Sequence, residues 1–183
     1  RVATEKDQTQ AVVLDVVRYE RIFDDQQHGP DDGPPQLWRW TLDLATGTVR
    51  EEQRSDVGFE LPRVDERVVG RRHRVAYGTE VAHGEGGNAF GGRLVRVDGR
   101  SVDVALVDLG PGRIAGEWVM VPRHPGADED DGWLLSFVYD AATDRSELVV
   151  LPAADPTAGP EARVLLPNRV PAGFHGSWVP DAG

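Results

Sequence analysis

The run Leu37-Trp38-Arg39-Trp40-Thr41-Leu42-Asp43-Leu44 alternates apolar and polar residues with a period of two, and that period commits the segment to a half-buried β-strand. Trp38, Trp40, Leu42 and Leu44 share one face, expected to meet the core, while Arg39, Thr41 and Asp43 point away. Residues 45–48 read as a turn into a second strand from Val49, and Asp98-Gly99 joins residues 93–97 to residues 101–106 as a hairpin. Another hairpin pairs residues 133–139 with 147–151 across the turn formers at 140–145. Further strands are expected at 10–18, 72–77, 117–121, 162–166 and 174–179. No long stretch has the 3.6-residue period of a helix. A sandwich, a barrel and propeller blades all satisfy this spacing.

Composition removes several chemistries. The 183 residues include no Cys, which excludes disulfides, iron–sulfur clusters, cysteine zinc sites and thiol nucleophiles; a metal here would need His and carboxylate ligands. Asp and Glu number 31 against 20 Lys and Arg, a formal net charge of -11 that repels a phosphate backbone, so nucleic acid is not an expected partner. No stretch reaches the roughly 20 apolar residues that span a bilayer, and the first ten residues lack the order of a signal peptide. A cytoplasmic location is expected. The chain starts at Arg1, which suggests a fragment.

Several local patterns fall short of a site. His83-Gly84-Glu85 opens like a zinc-deaminase motif, but the cysteines that complete that motif do not exist here. The glycines from Gly84 to Gly92 miss the dinucleotide-binding spacing, and residues 83–92 read as an exposed flexible connection. Residues 24–35, with His28 among Asp24, Asp25, Asp31 and Asp32, read as a solvated loop. Ser177 lies too close in sequence to His175 and Asp181 for a catalytic triad. The five Trp could line a sugar-binding face, although Trp38 and Trp40 sit at core alternation.

Three segments are more specific. They are Phe59-Glu60-Leu61-Pro62-Arg63-Val64-Asp65; Gly116-Glu117-Trp118-Val119-Met120-Val121-Pro122 with Glu129-Asp130-Asp131-Gly132-Trp133; and Pro171-Ala172-Gly173-Phe174-His175-Gly176. In order and spacing they resemble the C-terminal part of the carotenoid cleavage oxygenases, the family of apocarotenoid and lignostilbene dioxygenases and the retinal pigment epithelium isomerase. The resemblance runs from about Ala11 to Trp178. It implies an all-β chain forming roughly the last two or three blades of a seven-bladed β-propeller, with residues 1–183 belonging to that one domain and no second domain.

The resemblance also implies a chemistry. Members hold Fe(II) on the propeller axis with four His, of which the one in the terminal Phe-His-Gly segment corresponds to His175. The other three are expected upstream of Arg1, since His28, His73, His83 and His124 fall outside the family's ligand segments. Glutamates that accept the outer N–H of iron-bound His match Glu60 and Glu117. Glu117 is expected to orient His175, and Glu60 a His from the upstream part. The substrate class is an apolar conjugated small molecule, cleaved with O2 at a double bond into two carbonyl products. Phe174 and Trp178 flank His175 and are expected to pack between blades, and Glu129-Asp130-Asp131-Gly132 is expected to be a structural turn. One His cannot replace four, so the 183 residues alone are expected to be inactive. A propeller piece without catalysis, acting as a binding or assembly module, is the alternative.

Overall fold

A computed structural model describes residues 11–21, 33–84, 87–101 and 103–180, and they form three successive antiparallel sheets. The first contains β1 (Ala11–Arg18), β2 (Gln36–Asp43) and β3 (Thr48–Ser55). The second contains β4 (Phe59–Arg63), β5 (Val75–Gly84), β6 (Gly87–Asp98) and β7 (Val104–Asp108), in chain order. In the third, β8 (Arg113–Ala115) and β9 (Val119–Pro122) lie along one edge of β10 (Gly132–Asp140), followed outward by β11 (Arg145–Pro152) and β12 (Ala162–Leu165). Because β8 and β9 share that edge as one interrupted strand, the third sheet has the four strand positions of a propeller blade.

The middle sheet is covered on both faces. Val75, Tyr77, Leu94 and Val107 pack with Trp118, Met120, Leu134, Val138, Val149 and Leu151 of the third sheet. On the opposite face, Phe59, Val95 and Val97 cluster with Leu37 of the first. Leu94 and Val95 are adjacent and both fully buried, as a strand sandwiched between two layers requires. This stacking of sheet on sheet is how consecutive blades share their cores.

Three expectations need correction. The face carrying Trp38, Trp40 and Leu42 is not the core: these residues are half-buried, and Leu44, beyond the end of β2, is exposed. Leu37, on the other face of β2, meets the middle sheet; among the described residues no sheet covers the tryptophan face. Residues 83–92 are not a loop, since β5 and β6 continue through most of them as a long hairpin. Glycine is needed there for close approach: a Cβ at Gly91 would lie 2.7 Å from the Glu80 carboxylate, and one at Gly92 2.6 Å from the Arg113 carbonyl. Residues 174–179 form no strand, and among the described residues no strand pairs with them. The 24–35 loop, with His28, lies for the most part outside the described residues. No helix among the described residues is long and apolar enough to cross a membrane.

Candidate metal centre

Glu117 sits where a strand breaks. Ala115 pairs with Val138 and Val119 pairs with Leu135, so three residues, Gly116 to Trp118, face only two on β10. This β-bulge turns the chain and re-aims its side chains. Trp118 pins it in place, being fully buried in the core. Burying so large a ring is worth about 4–6 kcal/mol, against about 1 kcal/mol for each ladder hydrogen bond forgone. The bulge is thus held by packing.

The carboxylate this irregularity presents is buried, with 4% of its side chain exposed. Its Oε1 lies 3.1 Å from His175 Nδ1, and its Oε2 accepts the Gly176 N–H at 2.7 Å. Arg63 Nη1 approaches both oxygens, at 3.4 and 3.5 Å. One carboxylate therefore clasps both the ring and the backbone of the 174–176 segment, in a stretch of chain that is exposed throughout. With the proton on Nδ1, His175 donates to Glu117 and keeps the Nε2 lone pair free on a ring that is 74% exposed. Donor chemistry of this kind fits a metal ligand: a neutral imidazole with its outer N–H on a carboxylate.

Glu60 lies elsewhere on the same side of the molecule. It pairs with Thr79 on β5, whose hydroxyl donates to the Gly116 carbonyl, next to Glu117. Its carboxylate accepts the Leu61 N–H at 3.3 Å and a hydrogen bond from Tyr19, which follows β1. Burial, reinforced by that hydrogen bond and the Glu60 charge, pushes the Tyr19 phenol well above its ordinary value, so it stays a neutral donor. The structure thus joins Glu117 to His175 and leaves Glu60 apart, facing Tyr19. Among the described residues no three His, Asp or Glu side chains gather as a metal site. The residues present fit one share of a metal centre rather than a whole one.

The other expected features are distributed plainly. His73 pairs with Asp15 at 3.3 Å, and His124 lies in a loop whose carbonyls accept from Arg67. Within the acidic turn, Glu129 accepts the Arg74 and Val75 N–H groups at 2.6 and 2.7 Å, while Asp130 pairs with Arg74 and Arg96. These carboxylates staple the third sheet to the second. Phe174 and Trp178, expected to be packed, are 73% and 50% exposed among the described residues. Sequence reasoning passed over Tyr19, Arg63 and the buried Glu80, whose carboxylate is paired with Arg93. Arg63 stood in a quoted motif; the other two carried no local signal.

Comparison with known proteins adds lineage to this geometry. The family model described as retinal pigment epithelial membrane protein matches residues 3–180. The carotenoid cleavage oxygenase of Mycobacterium tuberculosis is 41% identical over 175 residues, covering 93% of this chain and 34% of that protein. The apocarotenoid-15,15'-oxygenase of Synechocystis sp. is 42% identical over 146 residues, covering 80% of this chain and 30% of its own length. The crystal structure of cobalt-substituted Synechocystis apocarotenoid oxygenase superposes with a TM-score of 0.84 at 37% identity, over 94% of this chain and 37% of that one. The chain spans about a third of the length of the relatives it matches. Its three sheets are accordingly part of a β-propeller.

Proposed function

Because the chain belongs to the carotenoid cleavage oxygenase family, we propose that it is the C-terminal part of a non-haem Fe(II) dioxygenase and that His175 is its contribution to the iron site. The observation that carries this reading is the contact of the buried Glu117 carboxylate with His175 Nδ1, which leaves Nε2 free. Iron bound there supplies a redox-active, Lewis-acidic centre at which O2 can react. The parent cleaves a double bond of a carotenoid, apocarotenoid or stilbene. Both oxygen atoms enter the products, one carbonyl on each carbon of the broken bond, so no further reductant is needed.

The residues of this chain act by holding and orienting. Glu117 fixes the His175 tautomer and ring direction, raises the basicity of Nε2 and offsets part of the positive charge that neutral imidazoles leave uncompensated. Its second oxygen, on the Gly176 N–H, holds the backbone that carries the ligand. Glu60, already hydrogen-bonded by neutral Tyr19, has acceptor capacity left for the outer N–H of a His from the upstream part of the parent. Phe174 and Trp178 supply exposed apolar surface on either side of His175, suited to a conjugated hydrocarbon. One imidazole does not hold iron tightly, so the 183 residues alone bind it weakly and do not turn over.

The test is iron per polypeptide in the complete parent, unmodified and as His175→Ala, with O2-dependent cleavage followed in parallel. Near-stoichiometric iron and cleavage, both lost on substitution, are expected. Iron and activity that survive it would reduce His175 to a surface residue. A parent with neither iron nor cleavage would make the chain part of a non-catalytic binding module.

A further inference from the structure

We propose that Arg63 is a positioning residue of the metal centre, acting on His175 through Glu117; this rests on the iron reading above. The guanidinium comes from β4 in the second sheet, whereas Glu117 lies in the bulge of the third. Its Nη1 faces both carboxylate oxygens, and its Nη2 reaches Glu66 Oε1 at 2.5 Å. A chain of contacts thus runs from exposed Glu66 through Arg63 and Glu117 to the His175 ring.

The backbone is built to aim Arg63 there. Glu60 pairs with Thr79 and Arg63 with Tyr77, so Leu61 and Pro62 face the single residue Gly78. In a regular strand, residues three apart point to opposite faces. The extra residue puts Glu60 and Arg63 on the same face, that of Thr79 and Tyr77, which looks toward the third sheet. Leu61 adopts φ of 54°, a left-handed conformation disfavoured for a branched side chain, to make this turn. Such a kink is specific to the placement it achieves.

Glu117 also needs what Arg63 gives. A carboxylate offers about four acceptor positions; His175 and Gly176 take two, and both donors belong to an exposed tail. Among the described residues Arg63 is the one Arg or Lys paired with this buried anion, and the one donor to it from the sheets. Without it the carboxylate is fixed only by the segment it is meant to fix. Arg63 therefore sets the direction of Glu117, and Glu117 that of His175.

The experiment uses the complete parent loaded with Co(II), comparing Arg63→Gln, Arg63→Lys, Glu117→Gln and Arg63→Gln/Glu117→Gln. Metal release to a chelator and the cobalt absorption spectrum are followed, with thermal unfolding as the control for folding. Arg63→Gln is expected to release metal roughly 3- to 10-fold faster, less than the effect of losing a direct partner, and to shift the spectrum. Arg63→Lys should recover most of both. In the Glu117→Gln background, Arg63→Gln should add nothing, because the path is already cut. Unchanged release, or losses that multiply in the double variant, would overturn the proposal. Should Arg63→Gln not fold, Arg63→Met, which keeps the unbranched stem and removes the charge, with and without Glu117→Gln completes the same cycle. If His175→Ala keeps its metal, the iron reading fails instead, and the two failures are distinguishable.

Discussion

Asp15 shows how single side chains connect the layers. It lies on β1, accepts both arms of Arg39 at 2.7 Å and meets His73 Nε2 at 3.3 Å, so the first sheet is tied to the segment that precedes β5. Burial would lift the Asp15 carboxyl, but the hydrogen bonds and charges of Arg39 and His73 outweigh it and hold the group far below its ordinary value. His73 is raised by its hydrogen bond to Asp15, against the opposing effect of burial. Stability from the raised His is fully present below its unfolded value of about 6.5 and is lost as pH climbs through the folded value; stability from the depressed Asp is present above about 3.9 and fades as pH falls. His73→Gln should therefore lower the melting temperature at about pH 6, and the gap to the unmodified chain should close toward about pH 9. A pH-independent gap in calorimetry would show that packing, not charge, is what His73 contributes. Nothing near His73 in sequence announces this partner, since Asp15 is far upstream and the pair exists only once β1 and the 64–74 segment meet. The contact between Glu117 and His175 was expected for the opposite reason, each residue sitting in a compact run of residues.

At the scale of elements, the strands were legible and their irregularities were not. Alternation located β2, β10 and β11 well, because each buries one face. It missed β8, ran the bulge into β9 as a single expected strand over 117–121 and took the glycines of the β5–β6 hairpin for a loop. A bulge is an extra residue in a register, visible only when the partner strand is known. The side chains that matter cluster at such places: Glu60 next to Leu61, Glu117 within 116–118, and Glu80 where β5 and β6 slip register between Thr79 and Val81. Gly78 is the counterpart of the first. A Cβ there would collide with the Phe59 ring and come within 3.0 Å of the Glu60 carbonyl. Gly78→Ala should cost about 1–3 kcal/mol in urea unfolding, with β4 displaced; a neutral result would mean that Phe59 swings clear and that the β4 kink is not tightly held.

Across the whole molecule, the middle sheet is saturated and the outer two are not. The first sheet turns Val12, Leu14, Trp38, Trp40 and Leu42 outward, and the third turns Phe137 and Val164 outward. Contiguous apolar surface of this kind is usually an interface. In the complete parent, blades on either side would cover both faces. The 183 residues by themselves should associate and bind an apolar fluorescent dye, with light scattering reporting particles larger than the monomer. A monodisperse monomer that ignores the dye would mean that the faces are screened within the chain. The sequence showed these residues as apolar but assigned the tryptophan face to the core, since periodicity identifies a buried face without saying whose surface buries it.

The unladdered tail has a consequence in time. Residues 171–180 are exposed and carry no strand, while the sheets behind them are closed by their own hydrogen bonds. A segment held at a few points opens without waiting for the sheets to unfold. The blades can thus be complete while the histidine is still searching, so the centre is the last part to assemble and the first to come undone. On the iron reading proposed above, exchange of the metal then runs on the clock of one short peptide rather than on that of the fold.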